Sequence, residues 1–359
     1  FDSTEKNILF INSGRLANVI TKFKFNEKHK NITFCTFNKF VRDINNFFKN
    51  DISNLPSDFI KANNFLATSA LKLLNTSTDH KYLYDLIVID EMQHCYFYDD
   101  FYLLIDKVLK KGLLDGNYYF FGDFNHQNII GKKLDTNILK DRMPKENLQS
   151  YEGITLWHNV RNSEDIAYEA PIISGLIDEM PLPYTINRTL GATEHSFYSN
   201  DEDKKNALLN ILKKLHSDKV HGNDITILSN FKLGNNKNIL NSINFSQYYK
   251  LYDLSQLKAD SSLSKEIEKI KTRDTIYFST ALAFQGLESK IIIYIDPLDS
   301  SFESSKDMSG STSDESHLLL FNAMGRANTL LYVLWDKTFE PWYNKRLKLL
   351  GNLMAKNEN

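Results

Sequence analysis

Apolar residues in the first half of the chain gather into short runs set between polar turns. Asn7–Asn12 (NILFIN), Ile32–Phe37 (ITFCTF), Asp85–Asp90 (DLIVID), Tyr118–Asp123 (YYFFGD) and Ile154–Asn159 (ITLWHN) have the length and the β-branched and aromatic content of buried strands. Between them, Arg15–Phe25, Ser57–Leu74 and Tyr98–Lys111 repeat Leu, Ile and Phe at three- and four-residue steps, with Lys, Asp and Asn on the other face, which predicts helices. The second half keeps the rhythm. Strands are expected at His195–Asn200, Ile225–Asn230, Thr275–Thr280, Ile291–Asp296 and Leu330–Trp335, and helices at Asp203–Leu215, Lys265–Lys271 and His317–Ala327. Strands alternating with helices predict an α/β fold with parallel sheets. Met180–Glu194, with Pro181 and Pro183, reads as a connector, Ser300–Ser316 as a polar loop, and Lys337–Lys356 as a closing amphipathic helix.

Length and charge sharpen this picture. A chain of 359 residues exceeds what one hydrophobic core usually serves, so two lobes are expected, 1–150 and 151–359. A net charge of −2 excludes a basic nucleic-acid coat and an acidic disordered tail, while leaving room for a local basic groove. The two cysteines, Cys35 and Cys95, form no Cys-x-x-Cys pair, which argues against a disulfide framework or zinc cage and fits a reducing cytoplasm. No apolar run approaches the ~20 residues of a membrane helix.

Chemistry enters at the strand ends. Tyr84–His94 (YDLIVIDEMQH) is an apolar strand that stops in Asp90-Glu91, with Gln93 following. Acids at the carboxyl end of a strand face the ligand crevice of an open α/β sheet, where one can hold Mg²⁺ and its neighbour can take a proton from an attacking water. The plain alternative is a helix start, with Asp90 as cap and Glu91 complementing the dipole. A second strand ending in Gly-Asp, with Gln127 beyond it, favours the crevice.

The ordered strings together resemble superfamily I helicases of the UvrD/Rep-like type, built on paired RecA-like lobes. LIVIDEMQ resembles that family's Asp-Glu-x-Gln motif, and FGDFNHQ (Phe121–Gln127) its Gly-Asp-x-x-Gln motif. TLWHNVRNSEDI is similar to Leu-x-x-Asn-Tyr-Arg-Ser, with Val160 in place of the aromatic residue. STALAFQGLES is similar to Thr-x-x-x-x-Lys-Gly-Leu-Glu, with Gln285 in place of Lys. LLLFNAMGRANTLLYVLW resembles the closing motif that carries an arginine finger. The resemblance spans nearly the whole chain. Each string is weak alone; their order and spacing carry the likeness.

The resemblance implies an ATP-dependent motor acting on single-stranded DNA, with RNA not excluded. Asp90 is then the Mg²⁺ carboxylate, Glu91 the base, Gln127 the phosphate sensor, and Arg161 and Arg326 the γ-phosphate arginines; Glu288, Gln93 and Gly286 fall to the nucleotide. Asn12, Arg15, Thr36, Phe37, Asn38, Trp157 and Thr280 fall along the DNA side. For Phe37 and Trp157 a core role is equally expected, since aromatic residues in strands are commonly core. ATP and Mg²⁺ are the implied cofactors. No membrane partner is expected.

One part of such an engine is missing from the sequence. The phosphate cradle G-x-x-x-x-G-K-[ST] occurs nowhere, and Gly131-Lys132-Lys133 lacks both the first glycine and the hydroxyl residue. The opening NILFINSGRLA resembles the strand that follows the cradle in this family. The first lobe is therefore expected to lack an N-terminal P-loop unit supplied by a longer parent, and the chain alone to turn over little ATP. Large inserted subdomains have no room. A catalytically silent nucleic-acid-binding or adaptor module of degenerate helicase fold is the alternative.

Overall fold

The computed structural model describes residues 6–12, 14, 16, 21, 30–79, 81–95, 98–122, 158–176, 184–185, 190–257, 263–298 and 315–357. They form a mixed α/β protein that divides into two compact units, Phe1–Ile154 and Thr155–Asn359. Arg15, Gln127, Trp157, Gly131-Lys132-Lys133 and most of the expected helix at Arg15–Phe25 lie outside the described residues.

The first unit is a four-stranded parallel sheet of β1 (Ile8–Asn12), β2 (Ile32–Thr36), β3 (Leu86–Ile89) and β4 (Asn117–Phe120), in the order β2-β1-β3-β4. Register aligns Asn12 with Thr36, Ile11 with Ile89, and Ile89 with Phe120, so the strands finish nearly level. Helices α1 (Phe37–Phe47), α2 (Phe59–Thr76) and α3 (Phe101–Val108) supply Phe40, Val41, Ile44, Leu66, Leu104 and Ile105 to a core shared with Leu9, Ile11, Ile87 and Ile89. A single turn, α4 (Gly112–Asp115), leads into β4.

Helix α1 departs from the expectation, which carried the strand through Phe37 and left the next residues unassigned. Thr36 ends β2 and caps the helix, its Oγ1 accepting from the Lys39 N–H at 3.2 Å. Phe37, Phe40, Val41 and Ile44 then follow one helical face. Within that face Asn45 is fully buried. Its Nδ2 donates to the carbonyls of Val41 (2.8 Å) and Leu66 (3.0 Å), and its Oδ1 accepts from Asn50 (2.7 Å), which ties α1 to α2.

The second unit holds a six-stranded parallel sheet in the order β7-β12-β11-β8-β10-β9, from β7 (Ala192–Tyr198), β8 (Ile225–Ser229), β9 (Lys250–Asp253), β10 (Thr275–Thr280), β11 (Ser289–Ile295) and β12 (Ala327–Asp336). Two-residue strands β5 (His158–Asn159) and β6 (Tyr184–Thr185) pair beside it. Helices α5 (Glu164–Ser174), α6 (Asp201–Ser217), α7 (Leu263–Ile270), α8 (Glu315–Met324) and α9 (Glu340–Asn357) complete the unit. The core packs Leu208, Leu212 and Leu215 of α6 on Ile225, Ile227, Ile293 and Leu334. Strand β9 escaped the sequence reading because KLYD is a short, half-exposed edge strand with only two apolar residues.

Two buried ionic clusters lie inside the second unit. The Lys204 ammonium sits 3.1 and 3.2 Å from the two carboxylate oxygens of Asp296, which also accepts a hydrogen bond from the Tyr198 hydroxyl. Glu169 accepts from Thr193 and pairs with His195 Nε2 at 2.7 Å, while His195 Nδ1 accepts from the Trp335 indole N–H at 2.8 Å. No described helix is long and apolar enough to cross a membrane.

Candidate functional site

The carboxyl edge of the first sheet gathers the predicted acids. The Asp90 N–H donates to the Ile11 carbonyl at 2.9 Å, which sets Asp90 level with Asn12 at the end of the neighbouring strand. Glu91 follows with φ 54°, a left-handed conformation that side chains seldom adopt, and the Met92 N–H then turns to the Phe121 carbonyl at 2.7 Å. A non-glycine residue held there signals a constrained turn. The fully buried Gln93 reaches back, its Nε2 donating to Glu91 Oε2 at 2.5 Å. One carboxylate is thus fixed by the strand and the other by the turn and Gln93. Burial pushes the adjacent His94 below its ordinary pKa, and the Glu91 carboxylate opposes that shift.

The residues expected along DNA are placed differently from one another. Asn12 is buried at the end of β1, and its Oδ1 has no hydrogen-bond partner among the described residues. Thr36 is occupied as the α1 cap. Phe37 is in the core, stacked on Tyr98 with ring centroids 4.6 Å apart. Asn38 donates to Asn63 and accepts from Arg42 Nε, between the first two helices. An open cavity lined by Asn7, Asn31, Thr33, Asn46, Tyr82 and Tyr84 holds none of the predicted site residues.

In the second unit three distant strings meet at the amino edge of the sheet. Arg161 Nε contacts Glu288 Oε2 at 2.9 Å, with both side chains about half exposed. The Ser289 N–H donates to the Arg326 carbonyl at 3.0 Å, which places the start of β11 beside Arg326, the residue before β12. Asn162 Nδ2 donates to the carbonyls of Gly325 and Ala327, 163 and 165 positions away. The Ser163 N–H adds a bond to the Asn328 carbonyl at 2.8 Å. Gly191 permits this approach, since a Cβ there would stand 2.0 Å from Ser163 Oγ and 2.5 Å from the Thr329 carbonyl. Arg326 itself is buried.

Thr280 belongs to the other edge. It ends β10 level with Ser229, which is level with Ile295 at the far end of β11. From there to Ser289 is six strand residues, roughly 20 Å. The crossover Ala281–Glu288 therefore runs the length of the sheet, turning at Gly286 with φ 80°. Thr280 Oγ1 accepts the Ala283 N–H at 3.3 Å as that crossover begins.

Chemically, the second unit holds a half-exposed guanidinium at Arg161 and a buried one at Arg326, and the first holds carboxylates at the end of β3. No group of three or more His, Cys, Asp or Glu side chains among the described residues could hold a metal by protein atoms alone. Asp90, at the end of β3, is a carboxylate that could hold a Mg²⁺ whose remaining ligands come from elsewhere. The sequence reading missed Asn162, whose role depends on carbonyls more than 160 positions away and leaves no local signature.

Neither a protein-family model nor a curated protein matches the chain. Among solved structures it is similar to the C-terminal domain of a possible DNA helicase from Lactobacillus plantarum WCFS1. The identity is 13%, the match covers 50% of this chain and 88% of that one, and the TM-score is 0.33. At that level the likeness carries no argument, and the functional reading rests on the residues.

Proposed function

We propose that the chain is the motor-core portion of an ATP-dependent superfamily I helicase or translocase acting on single-stranded nucleic acid, with RecA-like units. The observation that carries the reading is the knot in the second unit. Three strings chosen from the sequence for one chemistry, around Arg161, Glu288 and Arg326, are joined there by an ion pair and four hydrogen bonds. The ion pair joins two of the strings through their charges, and the hydrogen bonds join the third through the backbone around Arg326.

In this reading Asp90 would hold a Mg²⁺, which when bound would supply charge neutralisation to a triphosphate. Glu91, held by Gln93, accepts a proton from the attacking water. Arg161 and Arg326 stabilise the charge that develops on the terminal phosphoryl oxygens. This reading needs a phosphate cradle, and this sequence contains no G-x-x-x-x-G-K-[ST] string.

The same lack of a cradle favours the adaptor reading, and one experiment separates the two. Mg-ATP titrated calorimetrically into this chain should bind weakly and turn over negligibly, whereas the natural protein including any upstream cradle should hydrolyse ATP faster when single strands are added. Nucleic-acid binding without ATP turnover in that longer protein would favour the adaptor.

A further inference from the structure

We infer that Asn162 is a positioning residue that holds the two arginines of the second unit in one frame; the functional half of this inference rests on the nucleotide reading above. Asn162 is buried beside Arg161, and its carboxamide uses its full donor capacity on the chain around Arg326. One N–H goes to the Gly325 carbonyl at 2.9 Å and one to the Ala327 carbonyl at 2.5 Å. The carbonyl between them, that of Arg326, accepts from the Ser289 N–H. Three successive peptide groups are thus held, which fixes φ and ψ of Arg326 and the direction in which its side chain leaves the backbone.

The other end of the clamp holds Arg161. Asn162 Oδ1 accepts from Asn159 Nδ2 at 2.9 Å, and Asn159 Oδ1 accepts the N–H groups of Arg161 and Asn162, each at 3.0 Å. Arg161 Nε is aligned separately by Glu288, the residue before Ser289. The guanidinium groups therefore leave segments joined by hydrogen bonds, of which that to the Ala327 carbonyl is buried, and Asn162 spans both. No other standard side chain of this length offers two donors and one acceptor in a plane. A shift of about 1 Å in a phosphate-contacting group is enough to weaken its action severely.

Calorimetric titration of inorganic tripolyphosphate into the chain, combined with amide hydrogen exchange, tests this. The wild-type chain should bind in a manner that Arg161→Ala and Arg326→Lys each weaken, and Asn162→Ala should weaken binding about tenfold. The double change Asn162→Ala/Arg326→Lys should bind no worse than Arg326→Lys alone, because both act through the same side chain. Exchange at Ser289 should accelerate about tenfold in Asn162→Ala. If that variant folds poorly, Asn162→Asp keeps the shape but presents only acceptors to the two carbonyls at neutral pH. It should show the same loss, recovering partly relative to wild type at acidic pH, where the protonated acid can donate once.

Wild-type affinity in Asn162→Ala overturns the inference, as does a full additional tenfold loss on top of Arg326→Lys. A chain that binds tripolyphosphate without dependence on either arginine sinks the nucleotide reading, and the functional half with it. In that case faster Ser289 exchange supports the clamp and unchanged exchange overturns it.

Discussion

The first unit presents its carboxylates where a strand ends, and the second holds Arg326 where a strand begins. Both are parallel sheets, and in such sheets the two edges differ electrostatically. A strand's carboxyl end leads toward the start of the next helix, which favours negative charge, and its amino end follows the finish of the previous helix, which favours positive charge. Asp90 and Glu91 follow β3, and Arg326 follows the end of α8 after Gly325, whereas Arg161 lies between β5 and the start of α5. The units also hold their charges differently. Glu91 is fixed by its own turn and a partner two residues away, whereas Arg326 is fixed by bonds from residues 37 and 164 positions earlier, Ser289 and Asn162. The acid site is local and the arginine site is a product of the tertiary fold.

Several substitutions can break or sharpen this contrast. The largest effect is expected from Arg326→Ala in the natural protein, where ATP turnover should fall about 1,000-fold or more, as for other arginines that stabilise phosphoryl transfer. Steady-state hydrolysis measures it. Next is Lys204→Met, which leaves Asp296 buried without its cation and should lower the stability of the second unit by about 3–5 kcal/mol. All three tryptophans, Trp157, Trp335 and Trp342, belong to that unit, so urea unfolding followed by tryptophan fluorescence reports it selectively. Asn45→Ala in the first unit should remove about 1–3 kcal/mol, visible in the circular dichroism transition and not in the fluorescence.

A smaller effect is expected in acid. Burial pushes the Glu169 carboxyl up, but the hydrogen bond and charge of His195, together with Thr193 and Tyr343, hold it below its ordinary value. The folded state therefore binds this proton less readily than the unfolded chain. Its stabilisation is complete above the usual glutamate value of about 4.3 and is lost as pH falls through the lower folded value. Glu169→Gln should flatten that acid limb in the tryptophan signal. Glu288→Gln should change stability least, by under ~1 kcal/mol, because the Arg161 pair is half exposed.

The same contrast explains what the sequence could reveal. The acid site was legible because strand, carboxylates and Gln93 occupy one unbroken string, Leu86–Gln93. Helix α1 was equally visible in the spacing of Phe37, Phe40, Val41 and Ile44, but a strand carried one residue too far obscured its start. The strings around Arg161, Glu288 and Arg326 could be chosen, yet nothing local showed that Asn162 would bridge two of them. Thr280 and Glu288 share one string while the crossover carries them to opposite edges of the sheet. Buried polar networks such as Lys204–Asp296 and Glu169–His195 are likewise invisible, since each joins residues from distant strands and helices.

The central claim is that Glu91, at the carboxyl end of β3, is the base for ATP hydrolysis. It is tested most directly by ATP hydrolysis in the natural protein, with and without single-stranded DNA, comparing wild type with Glu91→Gln. The account predicts DNA-stimulated turnover in the wild type and its near-complete loss in the variant, with nucleotide binding kept. Unchanged turnover in Glu91→Gln would contradict it.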